Sequence, residues 1–169
     1  GNRLLGQTAD GSFIGQYDVQ DRLLSYGDYE YTYGANGELF TKTDTSTNET
    51  TAYTYDAFGN LIAVELPDAT LIEYVTDGKH RRVGKKVDGV LVKQWLYRDQ
   101  LNPVAELDGA GNLVAQFVYG SRGHVPDFMV RDGEVYRIVS DQVGSVRLVV
   151  NAGDVSDVLF RAEYTAFGE

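Results

Sequence analysis

Apolar and polar side chains alternate residue by residue along much of this chain. Tyr29, Tyr31 and Tyr33 are separated by Glu30 and Thr32, and Tyr53 and Tyr55 by Thr54. A period of two puts alternate side chains on opposite faces of an extended chain, so each run predicts a half-buried strand. Phe117 and Tyr119 repeat the arrangement before Gly120. Further strands are predicted from Leu91 to Tyr97, Tyr136 to Val139, Val146 to Val150 and Val158 to Tyr164, all rich in β-branched or aromatic residues. No segment holds a helical period, so almost no helix is expected.

Turn formers stand between the strands: Asn36-Gly37, Phe58-Gly59-Asn60, Asp77-Gly78, Asp88-Gly89, Asp108-Gly109-Ala110-Gly111-Asn112, Asp132-Gly133 and Ala152-Gly153-Asp154. Glycine permits positive φ, and Asp or Asn bonds nearby amides, so tight hairpins follow. The polar run from Thr41 to Thr51 predicts an extended hairpin tip.

The phrase Tyr53-Thr54-Tyr55-Asp56-Ala57-Phe58-Gly59-Asn60-Leu61 recurs in degenerate form. Its Asp position falls at Asp18, Gly34, Asp56, Asp77, Asp99, Gly120, Asp141 and Thr165, at spacings of 16, 22, 21, 22, 21, 21 and 24 residues. A constant period of this length marks a small unit that buries its apolar face only against its neighbours. The predicted architecture is all-β: tandem antiparallel hairpins of about 21 residues forming an extended, twisted sheet, one array over residues 1–169. The predicted structural residues of the repeat are Tyr17, Asp18, Tyr33, Tyr53, Tyr55, Asp56, Gly59, Asp99, Tyr119, Asp141, Gly144 and Tyr164. Tyrosine offers a ring to the neighbouring strand, aspartate accepts amides across the turn, and glycine closes it. The chain also begins and stops inside a copy of the phrase, at Gly1-Asn2-Arg3-Leu4 and Tyr164-Thr165-Ala166-Phe167-Gly168, so a piece of a longer array is expected, with terminal strand edges open to self-association.

Composition narrows the function. With 43% hydrophobic residues over 169, the chain can bury a core, and no run is long and apolar enough for a membrane helix. It has no cysteine, so disulfides and thiolate metal sites are excluded. A formal charge of -10 disfavours a nucleic-acid partner, which needs a basic face. The stretch from Lys79 to Arg98 departs from that average, with 7 of the 15 cations and the single acid Asp88. It reads as a solvated strand, with a docking surface for an acidic partner as the alternative.

Catalytic and metal readings are poor. His80 and His124 are the obvious general bases, but Asp141 and Ser145 lack a nucleophile-elbow context. Asp44, Ser46 and Asn48 have the alternate spacing of a calcium loop, yet Glu49 stands where glycine belongs and Tyr55 where glutamate belongs. Asn48-Glu49-Thr50 has the form of a glycosylation acceptor. No catalytic residue, cofactor or metal is expected, and the chain is predicted not to be an enzyme. Trp95 and Tyr97 share one strand face and could stack on a sugar, which leaves a glycan-binding or adhesive surface module as the alternative function.

Tyr55-Asp56-Ala57-Phe58-Gly59-Asn60-Leu61 resembles the YD motif of bacterial RHS and YD-repeat proteins, relatives of the animal teneurins. The stretch from Tyr97 through Asp99 to Gly109, and Ser140-Asp141-Gln142-Val143-Gly144-Ser145, are similar to later parts of an RHS core, with Gln142 and Val143 where His and Leu are usual. The resemblance covers essentially the whole chain. It implies a strip of an RHS-type β-shell, in a protein secreted by or displayed on a bacterium. Its partners would be neighbouring repeats and an enclosed C-terminal cargo, often a toxin for competitor cells. The Asp-Pro-x-Gly cleavage motifs of many relatives do not occur in this sequence.

Overall fold

The structure, a computed structural model, describes residues 5–8 and 11–164, with side chains from Ile14 onward. The phrase copies at Gly1-Asn2-Arg3-Leu4 and at Thr165-Ala166-Phe167-Gly168 lie outside the described residues. Among the described residues sixteen strands follow one another in sequence order without a crossover. They are β1 (Leu5–Thr8), β2 (Gly11–Tyr17), β3 (Leu23–Tyr26), β4 (Tyr29–Tyr33), β5 (Leu39–Asp44), β6 (Glu49–Tyr55), β7 (Leu61–Glu65) and β8 (Leu71–Thr76). They continue as β9 (Arg82–Val87), β10 (Val90–Tyr97), β11 (Pro103–Asp108), β12 (Leu113–Val118), β13 (Phe128–Arg131), β14 (Glu134–Ser140), β15 (Val146–Asn151) and β16 (Val158–Arg161). No helix occurs among the described residues.

The chain divides into two compact units, residues 1–76 with 85–90, and residues 77–84 with 91–169. Within each, strands contact only their neighbours in sequence. Among the described residues few large apolar side chains are buried, and the apolar core is Val64, Ala105, Ala115 and Val149.

Register assigns the faces. In the first unit, Tyr53 pairs with Val64 and Val64 with Ile72, an aromatic and aliphatic face. The opposite face pairs Thr32 with Thr41 and Thr43 with Thr50. Their hydroxyls bond at 2.5 Å and 2.9 Å, so it is a threonine ladder. In the second unit, Trp95 pairs with Glu106 and Glu106 with Ala115, while Phe117 pairs with Met129 and Met129 with Tyr136. Here the opposite face is apolar and exposed, with Leu96, Val118, Val135 and Val139. Each unit thus has one face that carries aromatic side chains, while the opposite face is a threonine ladder in the first and carries exposed aliphatic side chains in the second.

Two expectations need correction. The run from Thr41 to Thr51 is mostly strand, because its threonines pair across β5 and β6, and the tip is only residues 45–48. β16 stops at Arg161 rather than Tyr164, where the Tyr164 ring turns back onto Arg147.

Candidate functional site: a braced loop edge

At one edge the connections between consecutive hairpins are built on a common plan, which explains why the phrase needs its residues. In the loop from Asp56 to Asn60, Asp56 N–H donates to Asn60 O at 3.0 Å and Gly59 N–H to Asp56 O at 3.1 Å. Asp56 Oδ1 accepts Phe58 N–H and Asn60 N–H, both at 2.9 Å, and its Oδ2 accepts Asn60 Nδ2 at 2.7 Å. One carboxylate thereby satisfies amides that the turn takes out of the ladder. The residue three places after the aspartate has positive φ, +80° at Gly59 and +94° at Gly144. Glycine is suited to that region, since a Cβ there costs energy. Each of these loops also sets a bulge in its hairpin, as between Thr54 and Tyr55 or Val139 and Ser140.

The plan recurs around Asp18, Asp77 and Asp141 on this edge, and around Asp108 on the other. At two of these the fourth residue on is arginine: Arg22 Nε lies 2.6 Å from Asp18 Oδ2, and Arg81 Nη2 lies 2.6 Å from Asp77 Oδ2. The Arg81 side chain, helped by its amide, holds the Asp77 carboxyl well below its usual range, at about 2. The Asn112 side chain, then its amide, lowers Asp108 in the same direction.

Each arginine does more than cap its loop. The Arg22 guanidinium lies 5.2 Å from the Tyr33 ring centroid, Arg81 5.1 Å from Tyr97, Arg98 5.0 Å from Tyr119 and Arg147 4.7 Å from Tyr164. These distances are within cation–π range. The same tyrosines donate their hydroxyls to backbone carbonyls: Tyr33 to Leu23 at 2.7 Å, Tyr97 to Arg82 at 3.0 Å, Tyr119 to Pro103 at 2.9 Å and Tyr164 to Val146 at 3.0 Å. At these four loops aspartate, arginine and tyrosine form a clip that fastens the loop to the following hairpin. Burial pushes the Tyr33 and Tyr119 hydroxyls up, so they stay protonated donors.

In the second unit the loops also bond directly to one another. Arg81 Nη1 donates to Asp99 O at 3.0 Å and Gln100 Nε2 to Lys79 O at 2.7 Å. Arg122 Nη1 reaches Ser140 Oγ and Asp141 O, each at 2.8 Å. Between them lies Asn102, only 1% exposed. Its Nδ2 donates to Asp99 Oδ2 at 3.0 Å and to Gly123 O at 2.7 Å, and its Oδ1 lies 3.3 Å from His124 Nδ1. Four successive loops are therefore tied in series along this edge.

Of the residues singled out from sequence, Tyr33, Tyr119 and Tyr164, with Asp18 and Asp141, meet in these clips. Tyr17, Tyr53 and Tyr55 sit on the strands leading into the loops, partly buried. Asp99 is displaced by one position, because the loop is closed from Arg98 N–H to Asn102 O and Asp99 is its second residue. The register inferred from the phrase is corrected there, and also at Gly120, where residues 119–127 form a longer connection capped by Asp127. Sequence reasoning missed Asn102 and the arginine members of the clips. Arg22 and Arg81 were discernible from their place four residues after an aspartate; Asn102 takes the place of Asn60 once the loop is counted from Arg98, but nothing local marked its burial.

Other candidates are accounted for differently. Asp44 Oδ1 accepts the Ser46 amide and hydroxyl and the Thr47 amide, an ordinary turn cap. Asp141 meets Ser145 through the two contacts of the loop plan, its N–H donating to Ser145 O at 3.0 Å and its Oδ1 accepting the Ser145 amide at 2.9 Å. Trp95 is partly buried, with Lys93 Nζ 6.0 Å from its ring, and Lys93 pairs with Glu106 at 2.9 Å. Arg81, Lys93 and Arg98 of the basic stretch are thus engaged internally. Among the described residues no group of three or more histidine or acidic side chains is placed to hold a metal, and no helix is long and apolar enough to cross a membrane.

Hairpins in unbroken sequence order, clipped together along one edge, define a repeat-array wall with a structural role. The family model of the teneurin YD-shell matches residues 1–169, and the chain belongs to that family. It is 25% identical to mouse Teneurin-3 over 158 residues, covering 91% of this chain and 6% of that protein. It is 30% identical to the tRNA nuclease WapA of Bacillus subtilis strain 168 over 109 residues, 63% of this chain and 4% of that protein. The chain thus spans a small part of these relatives. A solved structure of TcdB2-TccC3-Cdc42 aligns with 98% of this chain and 12% of its own at 9% identity, with a TM-score of 0.45.

Proposed function

We propose that this chain is a length of shell wall that encloses a C-terminal segment, often a toxin, within a bacterial protein that is secreted or displayed at the surface and acts on competitor cells. Its role is to isolate rather than to transform. The observation that carries this reading is the loop edge tied in series, since a barrier needs continuity between hairpins more than it needs a pocket. Membership of the YD-shell family supports it, and so does a relative that is a tRNA nuclease of which the matching stretch is a small part. The partners are the neighbouring repeats and the cargo.

The test is limited proteolysis of the full-length parent, following its C-terminal segment. That segment should survive in the intact protein and be digested once the wall is opened by Gly109→Ala, which drives a Cβ into the Leu91 carbonyl. Equal digestion in both would refute containment. Specific sugar binding abolished by Trp95→Ala, with no protection of the C-terminal segment, would replace it with an adhesive function.

A further inference from the structure

Asn36-Gly37 is the sole Asn-Gly step in the sequence. It lies in a loop that departs from the common plan. Gly34 stands where the loops of that plan have Asp18, Asp56, Asp77, Asp108 and Asp141, and Glu38 stands where they have Arg, Asn or, after Asp141, Ser145. The backbone bonds remain, Gly34 N–H to Glu38 O at 2.8 Å and Gly37 N–H to Gly34 O at 3.1 Å. No carboxylate accepts the Asn36 amide, whereas Asp56 holds the equivalent Phe58 amide at 2.9 Å. Asn36 is exposed, and among the described residues its carboxamide has no hydrogen-bond partner. Gly37 adopts φ +93°, and no atom lies within 4 Å of where its Cβ would be.

We propose that Asn36 is a site of spontaneous deamidation that converts this loop into an aspartate- or isoaspartate-containing form. In mildly alkaline water, hydroxide removes the Gly37 amide proton and the nitrogen attacks Asn36 Cγ. The N–Cγ bond forms, the Cγ–Nδ2 bond breaks, and the leaving nitrogen takes up a proton and departs as ammonia. Water then opens the succinimide at one carbonyl or the other, giving aspartate or isoaspartate. Glycine at position 37 puts no side chain beside the attacking nitrogen, whose 3.1 Å bond to Gly34 O must open first, and the uncapped loop lets the Asn36 backbone turn toward it. The other described asparagines are held or shielded. Asn112 bonds Asp108 at 2.8 Å, Asn102 is buried ahead of Pro103, and Asn48 precedes the bulky Glu49.

The product matters to the wall. The formal charge falls by one unit from -10 to -11. Isoaspartate also lengthens the backbone by one methylene in the loop that sets the bulge between Thr32 and Tyr33, and so disturbs the pairing of Tyr33 with Leu39.

The test is peptide mass mapping of the chain after incubation in mildly alkaline buffer, folded and in urea. Position 36 of the folded chain should lose its amide before any other asparagine, with isoaspartate among the products. Asn36→Gln should abolish that product. The double variant Gly34→Asp, Glu38→Asn, which recreates the pattern of residues 56–60, should slow it. Loss of the amide in urea alone would overturn the proposal, as would a folded chain in which another asparagine reacts first. A double variant reacting as fast as the parent would overturn the role given to the missing cap.

Discussion

Replacing Asn102 by alanine tests the series of tied loops at its most buried link. The side chain is 1% exposed and makes three contacts, with Asp99 at 3.0 Å, Gly123 at 2.7 Å and His124 at 3.3 Å. The last is long and contributes little. Each of the other two is worth on the order of 0.5–1.5 kcal/mol net, and a buried partner left unsatisfied adds about 1 kcal/mol or more. A loss of roughly 2–4 kcal/mol follows. This is a large share of the ~5–15 kcal/mol typical of whole-protein stability. The assay is urea unfolding followed by the fluorescence of Trp95, the chain's single tryptophan, in the same compact unit. With m near ~2 kcal/mol per molar, the midpoint should fall by about 1–2 M at unchanged m. Asn112→Ala is the control, because that asparagine closes its loop on Asp108 while exposed and reaches no second loop. A shift at Asn102 no larger than that at Asn112 would refute the claim that ties between loops, rather than caps within them, hold this edge.

Three further outcomes are expected. At Gly109 a Cβ would sit 1.9 Å from Leu91 O and 2.8 Å from Leu91 C, so Gly109→Ala must shift backbone between β10 and β11 and should cost about 1–3 kcal/mol, read by the same titration. Ala69 holds φ +65°, where glycine is the easier residue, so Ala69→Gly should raise the thermal midpoint by the equivalent of roughly 0.5–1 kcal/mol, while Gly59→Ala, at φ +80° with open space around it, should lower it by about 1 kcal/mol. The capping aspartates have folded pKa values below their usual 3.8, so they favour folding above that value and lose the contribution as pH falls through the folded one; stability should be flat near neutrality and decline between pH 3.8 and about 2, with Asp77→Asn flattening the lower part of that limb.

The hairpin architecture was legible because two signals agreed. Alternation in Tyr29 to Tyr33 named the strands, and the spaced Asp and Gly of the phrase named the loops. The Thr41 to Thr51 run misled, since threonine suits both a polar loop and a strand face paired to other threonines, and only cross-strand partners decide between them. Asp99 was misplaced by one residue because Arg98 and Asp99 trade backbone and side-chain duties in that loop, and a local phrase does not separate them. The clips were half legible. Aspartates and tyrosines stood out by recurrence, but the guanidinium joining them stacks on a ring 11 to 21 residues further along in sequence, as from Arg22 to Tyr33 and Arg98 to Tyr119. The burial of Asn102 was illegible, because its partners there are residues 123 and 124 of another loop.

Strands that meet only their immediate successors give the chain an unusual freedom. Every pairing is local, so loop closure is cheap and each hairpin can form as it is made, without waiting for a distant partner. Whole hairpins can be copied or lost in evolution with repair needed only at the two junctions. The length of such a wall could then be changed by gene duplication while the chemistry of each loop stayed the same.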